Sequence, residues 1–217
     1  MTGLADRDAR PAAGTVWRVS TASSERVWYV AYGSNMHAER FACYVRGGRP
    51  RGGSRTYPGC RDKREPERWV PVLVPGQMYF AGKSTVWGGG MAFYDPTAAG
   101  GVPCRAYLVT AGQFADVAAQ EMHRKPDVDL ELTEVLARGT VRLGPGVYET
   151  LVCAGWLEEL PLLTLTAPRR IEDAALNPPS AAYLHHLGEG LAETHGWSAG
   201  RITTYLATRA GASPRDA

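Results

Sequence analysis

VWYVAYGSNMHAERF, residues 27–41, is the stretch that sets the fold of this chain. Residues 27–31 are apolar, aromatic or β-branched, which is typical of a buried strand. They run without a linker into Tyr32, Gly33, Ser34 and Asn35, and a helix-like segment begins at once. Gly47 stops that segment. The sequence therefore predicts a strand that enters a helix through one small polar turn.

Length and composition favour one ordinary globular domain. The 217 residues are 44% hydrophobic and 21% charged, enough to bury a full core. Basic and acidic residues number 24 and 22, a balance that gives no general attraction to nucleic acid or to a membrane surface. We expect a single domain over 27–208, with flexible tails at 1–26 and 209–217.

The sequence lacks signals for export, membrane insertion or metal binding. Its N-terminal stretch has no apolar h-region, and no apolar run approaches the roughly 20 residues of a membrane span. We therefore expect a cytoplasmic protein with no membrane partner. No C-x-x-C pair occurs and the histidines miss ligand spacing, so we expect no disulfide, metal or cofactor. The four cysteines, predicted to be reduced, are Cys43, Cys60, Cys104 and Cys153.

The remaining pattern predicts an α+β fold. A long loop covers 46–68, a helix with a Thr110/Gln113 capping box runs to about Met122, and Ser180 and Ser198 cap two further helices. Because strands and helices do not alternate strictly, we expect a mixed, mostly antiparallel, barrel-like sheet with the helices packed outside. The predicted strands are 69–74, an edge strand because of Pro71, and 77–81, 90–94, 105–109, 134–142 and 147–156.

The turn after the first strand is a candidate binding site. Glycine lets a ligand approach the main chain, and Ser34 and Asn35 favour turns that leave N–H groups free. Successive free N–H groups suit a carboxylate or a developing oxyanion. The alternative is an ordinary strand-to-helix turn in which Asn35 caps the helix.

Glu121 breaks the pattern of the helix that begins at Thr110. Phe114, Val117 and Glu121 fall at i, i+3 and i+7, which places a carboxyl on the apolar face. Burial there would raise its pKa and prepare it for general acid/base work near neutral pH. The alternative is that Glu121 lies at a frayed helix end, in solvent or paired with Arg124.

Four segments together resemble the gamma-glutamylcyclotransferase family, which has a YGSN loop and an AIG2-like cyclotransferase fold. They are VAYGSNM, WGGGMAFYDP, the pair Gln120-Glu121, and PPSAAY opening a later helix. The resemblance runs intermittently from about 27 to 206. In the family the glutamate is commonly followed by glycine, whereas Met122 stands here, so the backbone must turn differently or the helix must continue.

The resemblance implies a cofactor-independent enzyme that acts on a small gamma-glutamyl substrate, of transferase or lyase type. The substrate's α-amine attacks its own side-chain carbonyl, which releases 5-oxoproline and a free amine or amino acid. Glu121 is the implied general acid/base. The implied substrate-binding residues are Tyr32, Gly33, Ser34, Asn35, Met36 and Tyr183.

The Arg/Gly-rich loop 46–68 supports an alternative. It holds eight Lys or Arg and three Asp or Glu, and RGG-like tracts contact RNA through phosphate charge and stacking. One tract inside a near-neutral domain, with few aromatic residues, favours a solvated lid or a binder of an anionic substrate group instead. A non-catalytic ligand-binding domain also stays open; it would tolerate glutamine at position 121. Oligomeric state is not predicted.

Overall fold

The computed structural model describes residues 25–213. The predicted tails therefore fall largely outside the described residues. Inside them, Arg26 already belongs to the first strand, and Phe80 donates its backbone N–H to the carbonyl of Ala210 over 2.8 Å. The packed part of the chain thus extends slightly beyond both ends of the predicted 27–208 domain.

The described strands form a six-stranded sheet and a separate hairpin. The large sheet has the order β2-β5-β1-β8-β7-β6, and β3 pairs with β4 in a separate two-stranded sheet. The strands are β1 (Arg26–Ala31), β2 (Arg68–Pro75), β3 (Gln77–Ala81), β4 (Met91–Asp95), β5 (Gly101–Thr110), β6 (Thr140–Arg142), β7 (Thr150–Leu157) and β8 (Leu160–Thr166).

Five α-helices are present in the described part of the chain, which confirms the α+β class. Helix α2 packs on β1 and β5, and α4 contacts β5 and the turn after β1. The helices are α1 (Ala38–Arg46), α2 (Ala111–Glu121), α3 (Thr133–Arg138), α4 (Ala181–His195) and α5 (Ala199–Ala207). The predicted caps form: Thr110 makes a capping box with Gln113, and Ser180 and Ser198 each accept a backbone N–H bond.

The large sheet is mixed but open. Strand β1 pairs parallel with β8 and antiparallel with β5, and the other pairings between the strands of residues 25–213 are antiparallel. Strands β2 and β6 remain as edges, so the barrel-like closure that the sequence suggested is not confirmed. Pro71 lies in edge strand β2, where its missing N–H is tolerated.

Two assignments differ from the sequence prediction. Residues 134–138 belong to α3 rather than to a strand, because Gly139 ends the segment in a left-handed conformation (φ 78°) and Arg138 pairs with Glu134 one helical turn away. Strand β8 was not predicted at all. It lies beside β1 and carries a continuous buried face.

The topology places the polar turn in the middle of the molecule. Strand β1 is almost fully buried and is flanked by β5 and β8, so the chain leaves the sheet from a central position. Helix α2 returns beside it from the end of β5. Strand β1 and helix α2 therefore carry the Gly33 turn and Glu121 to one neighbourhood. No helix within residues 25–213 combines the length and apolar character that a membrane span requires.

Candidate active site

The turn after β1 is a short 3-10 segment, Ser34–Met36. Met36 N–H donates to the Gly33 carbonyl over 3.0 Å, and His37 N–H donates to the Ser34 carbonyl over 3.2 Å. These bonds use carbonyls and leave the N–H groups of the first turn residues to other acceptors. Gly33 has φ −106°, which any residue can adopt; a Cβ there would lie 3.2 Å from the Tyr183 hydroxyl. The limited space beside Tyr183, rather than the backbone conformation, therefore favours glycine here.

The far side of the turn is fixed by β5 and α4. The Tyr107 hydroxyl donates to the Asn35 carbonyl over 2.9 Å, and Arg105 Nη1 donates to the Met36 carbonyl over 2.9 Å. A Cβ on Gly190 of α4 would lie only 2.5 Å from Met36 Cβ, so the helix touches the turn directly. The turn is rigid on this side, and its other side faces a cavity.

Glu121 lies at that cavity beside the turn. Asn35 Nδ2 donates to Glu121 Oε1 over 2.9 Å and to the Tyr29 hydroxyl over 2.9 Å. Asn35 Oδ1 is buried and has no hydrogen-bond partner among the described residues. Asn35 therefore does not cap a helix with its side chain; it joins the turn to the carboxyl and keeps one acceptor unused.

The carboxyl of Glu121 is largely shielded from solvent, and this changes its pKa. Burial raises its pKa, while Arg40, the Tyr44 hydroxyl and the Asn35 amide partly oppose that rise. The alternative pairing with Arg124 does not occur, because Arg124 binds Glu149. Helix α2 ends at Glu121, Met122 caps it, and His123 takes the left-handed conformation (φ 60°). The helix therefore does not continue past Met122, and the left-handed residue of the turn is His123.

The cavity contains about 710 Å³ of empty space, its open mouth included. Tyrosines line much of it, and their hydroxyls supply polar contacts on an aromatic wall. Tyr32 donates its hydroxyl to the Leu165 carbonyl over 2.8 Å, whereas the Tyr183 hydroxyl accepts from Ala92 N–H over 3.2 Å. The lining tyrosines are Tyr29, Tyr32, Tyr44, Tyr57, Tyr148 and Tyr183.

Arg40 of α1 is a buried cation on the cavity wall. Its guanidinium lies 4.5 Å from the ring centres of both Tyr44 and Tyr57, and Nη2 donates to the Tyr57 hydroxyl over 2.8 Å. Nε and Nη1 have no hydrogen-bond partner within the described part of the chain. Sequence analysis did not single out Arg40. Its spacing of four residues from Tyr44 on one helix was the signal available.

Part of the basic loop covers the cavity. Ser54 N–H and its hydroxyl bind the carbonyl of Val86 in the β3–β4 connection, at 3.2 Å each. The Arg51 carbonyl lies 2.9 Å from His186 Nε2 of α4. Arg55 of this loop lines the cavity, as does Trp87 of the β3–β4 connection. The loop is thus part of the site, a role that its Arg/Gly composition alone did not reveal.

Four other arginines of the basic loop form ion pairs with acids. Arg61 binds Asp116 of α2 over 2.8 Å and also pairs with Asp129. Three more arginines form ion pairs: Arg46 with Glu65, Arg64 with Asp62, and Arg68 with Glu158. Much of the charge that suggested nucleic-acid contact is therefore internally paired.

The structure brings together most of the predicted site. Tyr32, Gly33, Ser34, Asn35, Glu121 and Tyr183 all line one cavity. Met36 does not; it is 1% exposed and packs against α4. Arg40, Arg55 and Tyr148 line the cavity but were not predicted. Within residues 25–213 the four cysteines are free, and no group of three possible metal ligands occurs.

Comparison with solved structures identifies the class of fold as that of the gamma-glutamyl cyclotransferases. One structure described as a gamma-glutamyl cyclotransferase covers 89% of this chain and 91% of its own, with 15% identity and a TM-score of 0.52. An uncharacterized protein from Homo sapiens gives 15% identity and a TM-score of 0.53, over 89% and 92% of the two chains. At this identity the likeness shows the fold alone.

Comparison at the sequence level gives a different relative. The chain is 32% identical over 210 residues to histone deacetylase 5 of Arabidopsis thaliana, over 88% of this chain. It spans about a third of that relative, 32% of its length. No family model matches. The activity named for the whole plant protein is therefore not carried over to this chain.

Proposed function

We propose that this protein is a cyclotransferase that acts on gamma-glutamyl amides and releases 5-oxoproline and a free amine. One observation carries the proposal: the Glu121 carboxyl lies 2.9 Å from Asn35 of the turn, inside a cavity that both residues line. The gamma-glutamyl cyclotransferase fold supports it. The motifs that carry the sequence resemblance, the YGSN loop and Gln120-Glu121, contain these same two residues.

The first step is removal of a proton from the substrate's α-ammonium. Glu121 accepts this proton, and the unused Asn35 Oδ1 accepts a hydrogen bond from the same group. The raised pKa of Glu121 brings the carboxyl closer to the working pH, where a general base is most effective. The free amine then points toward the side-chain carbonyl of the same molecule.

The second step closes the ring. The amine nitrogen bonds to the γ-carbonyl carbon, and the carbonyl oxygen gains charge that the N–H groups of residues 33–35 stabilise. The amide carbon–nitrogen bond then breaks as Glu121 returns its proton to the departing nitrogen. The ring nitrogen, which still carries one proton too many after it bonds to the carbonyl carbon, gives that second proton to the released amine, which leaves as an ammonium ion. Water is not consumed. Holding a flexible chain in this geometry can supply about 7–11 kcal/mol at most.

The tyrosines shape the cavity for this folded substrate. Tyr183 lies against Gly33 and offers its hydroxyl, whose pKa burial raises to about 12, so it stays a neutral hydrogen-bonding group. Tyr32 turns its hydroxyl away to the Leu165 carbonyl, so it contributes its ring. Met36, outside the cavity, supports the turn and has no substrate contact in this mechanism.

The decisive experiment incubates the purified protein with a panel of gamma-glutamyl amides and measures 5-oxoproline by mass spectrometry. Glu121→Gln removes the proton-transfer group and keeps an acceptor for Asn35. Glu149→Gln is the matched control, because Glu149 is a buried carboxylate outside the cavity, paired with Arg124. Turnover by the wild type and by the control, with none by Glu121→Gln, supports the proposal. Undiminished product from Glu121→Gln would refute the assigned role.

Ligand binding without turnover is the competing outcome. In that case calorimetry detects binding of 5-oxoproline or a gamma-glutamyl amide, product never forms, and Glu121→Gln binds as well as the wild type. Nucleic-acid binding makes a separate prediction: retention on RNA that falls with salt and with removal of Arg49, Arg51 and Arg55. Absence of retention at low salt dismisses it.

A further inference from the structure

Two buried histidines face each other beside the candidate site. His37 follows the turn after β1 and His186 lies on α4, and they are 7% and 2% exposed. Their Nδ1 atoms are 2.8 Å apart, which is a hydrogen-bond distance. Neither ring is among the residues that line the cavity. Because imidazole changes its charge near neutral pH, this contact depends on how many protons the two rings carry.

His186 joins helix α4 to the basic loop. Its Nε2 lies 2.9 Å from the Arg51 carbonyl. Three residues further on, Ser54 N–H donates to the Val86 carbonyl of the β3–β4 connection over 3.2 Å. The bond from His186 is therefore one of the attachments that keep segment 51–55 of the loop beside the cavity.

The hydrogen bonds determine where the protons of the two rings lie. A carbonyl oxygen only accepts, so His186 Nε2 carries a proton and donates it to the Arg51 carbonyl. The neutral His186 ring then has an acceptor at Nδ1, to which His37 Nδ1 donates. His37 Nε2 lies 3.5 Å from Glu193 Oε1, and a proton there pairs with the carboxylate. With one extra proton, each ring nitrogen of the pair therefore has a partner.

A second extra proton is incompatible with this arrangement. Both Nδ1 atoms would carry hydrogen, and two donors cannot face each other at 2.8 Å. Two positive charges would also lie together where burial already disfavours charge. The rings must then separate, which moves His186 and withdraws its donor from the Arg51 carbonyl.

The surroundings of the pair oppose the second proton. The charged and titratable groups that face it are Arg40 of α1, Arg105 of β5, and His185 and Glu193 of α4. Burial lowers the pKa of His186, and neighbouring positive charges lower it further, although the Arg51 carbonyl opposes them. Glu193 already pairs with Arg105 over 2.9 Å. Since a lowered pKa means fewer bound protons, the attached state is favoured above the ordinary histidine value of 6.5 and is lost as pH falls below it.

We propose that His37 and His186 are positioning residues that hold segment 51–55 beside the cavity and release it when both rings are protonated. Release takes Arg55 away from the cavity wall and uncovers Trp87, whose ring lies 4.8 Å from that of His186, centre to centre. The attachment itself is independent of the reaction. Its effect on turnover rests on the proposed function: a released segment admits water to the cavity, so kcat/KM falls in mild acid.

Hydrogen–deuterium exchange of the Ser54 amide measures the attachment without turnover. This N–H is bonded to the Val86 carbonyl while the segment is in place. For the wild type we expect its protection, corrected for the intrinsic exchange rate, to fall about 10-fold between about pH 7.5 and about pH 5, the effect of roughly one extra proton bound on release.

Three variants separate the effect of the protons from that of packing. His37→Gln places an amide opposite His186 that donates to the neutral ring and accepts from the protonated one, so protection should persist in acid. His186→Leu removes the donor to the Arg51 carbonyl, so protection should be low at both pH values. His185→Gln is the control, because His185 is exposed and pairs with Glu189; its protection should fall in acid as in the wild type.

Three exchange results would overturn the inference. They are equal wild-type protection at both pH values, loss of protection in acid by His37→Gln, and wild-type protection in His186→Leu. Melting temperatures of the variants check that the fold is intact.

Kinetics test the effect on turnover. The ratio of kcat/KM for His37→Gln to that for the wild type cancels the titration of Glu121, which both proteins share. This ratio should rise about 10-fold over the same fall in pH, and a constant ratio would overturn the control of turnover by the segment. If neither protein forms 5-oxoproline, the proposed function fails, and the exchange data still decide whether the histidine pair holds the segment.

Discussion

Two buried arginines lie on opposite sides of the turn after β1, and they are used differently. Arg105 and Arg40 are each 3% exposed. Arg105 binds Glu193 over 2.9 Å, donates to the Met36 carbonyl and lies 3.8 Å from the centre of the Trp69 ring. Arg40 lies against aromatic rings and tyrosine hydroxyls, with two nitrogens unsatisfied, and it acts on the Glu121 carboxyl without forming an ion pair with it.

The difference distinguishes an arginine that stabilises the fold from an arginine that is available to a ligand. A buried cation that is paired with an acid has its charge compensated within the protein, so it fixes local structure, even though Arg105 Nε has no hydrogen-bond partner among the described residues. A buried cation without an acid keeps donors and charge available to a ligand, at a cost in stability. The Arg105 side of the turn is therefore the support, and the Arg40 side is the working face. Variants on the two sides should differ in which property they damage.

Glu121 and Glu193 give the largest expected contrast. Glu121→Gln should lower kcat for 5-oxoproline formation by about 100- to 10,000-fold, the usual contribution of general acid/base catalysis, and keep the fold. Glu193→Gln should instead lower the melting temperature, because it weakens the pair with Arg105 and the bond to Ala38 N–H. Steady-state kinetics and thermal unfolding of both variants check this. Stability loss without activity loss at Glu121 would reverse the assignment.

The arginines themselves sharpen the comparison. Arg105→Met should destabilise the protein by about 2–3 kcal/mol, since it leaves the Met36 carbonyl and the Glu193 carboxylate without their charged donor. Arg40→Met should cost about 1 kcal/mol or less, because removing an unpaired buried charge offsets the lost stacking on Tyr44 and Tyr57. Urea unfolding monitored by tryptophan fluorescence measures both. A larger loss at Arg40 would show that its charge is structural.

The fold was predictable where local chemistry acts within a few residues. The strand 27–31, the capping box at Thr110 and the serine caps of α4 and α5 depend on neighbours in sequence, and all three are confirmed. The strand predicted at residues 134–138 was wrong. The helix there has only six residues and ends at Gly139, so its periodic pattern is too short to outweigh the β-prone neighbours. Sheet closure depends on strand order, which local patterns do not encode.

The candidate site was predictable where a residue broke a rule. Glu121 on an apolar face and Gly33 at the end of a strand stood out from their surroundings, and the structure places both at one cavity. Arg40 was missed because arginine on a short surface-like helix is ordinary in sequence. Arg55 was missed because its approach to the cavity depends on long-range bonds from Ser54 and Arg51. Such contacts exist only in the folded chain.

For the working face, the pH dependence of activity is a smaller effect than the substitutions above. Burial raises the pKa of Glu121 above its ordinary 4.5, and the base must be ionised to accept the α-ammonium proton. The kcat/KM for a gamma-glutamyl amide should therefore rise with pH through a limb that lies above the ordinary glutamate range. A pH–rate profile measures the limb. A midpoint at or below 4.5 would contradict a buried base.

The smallest expected effect is the pH dependence of stability, and its sign follows from the same carboxyl. Because the folded-state pKa of Glu121 is raised, the folded protein retains a proton that the unfolded chain has already released in the window above 4.5. Stability from this group is full below that window and is lost as pH rises through it. Glu121→Gln removes the effect, so its free energy of unfolding relative to the wild type should increase with pH there. Asp116 also has a pKa raised by burial and is unchanged in both proteins, so the difference between them isolates Glu121. Urea unfolding at a series of pH values tests this. If the difference in free energy of unfolding between Glu121→Gln and the wild type shrinks with rising pH, the fold stabilises the Glu121 carboxylate, as Arg105 does for Glu193.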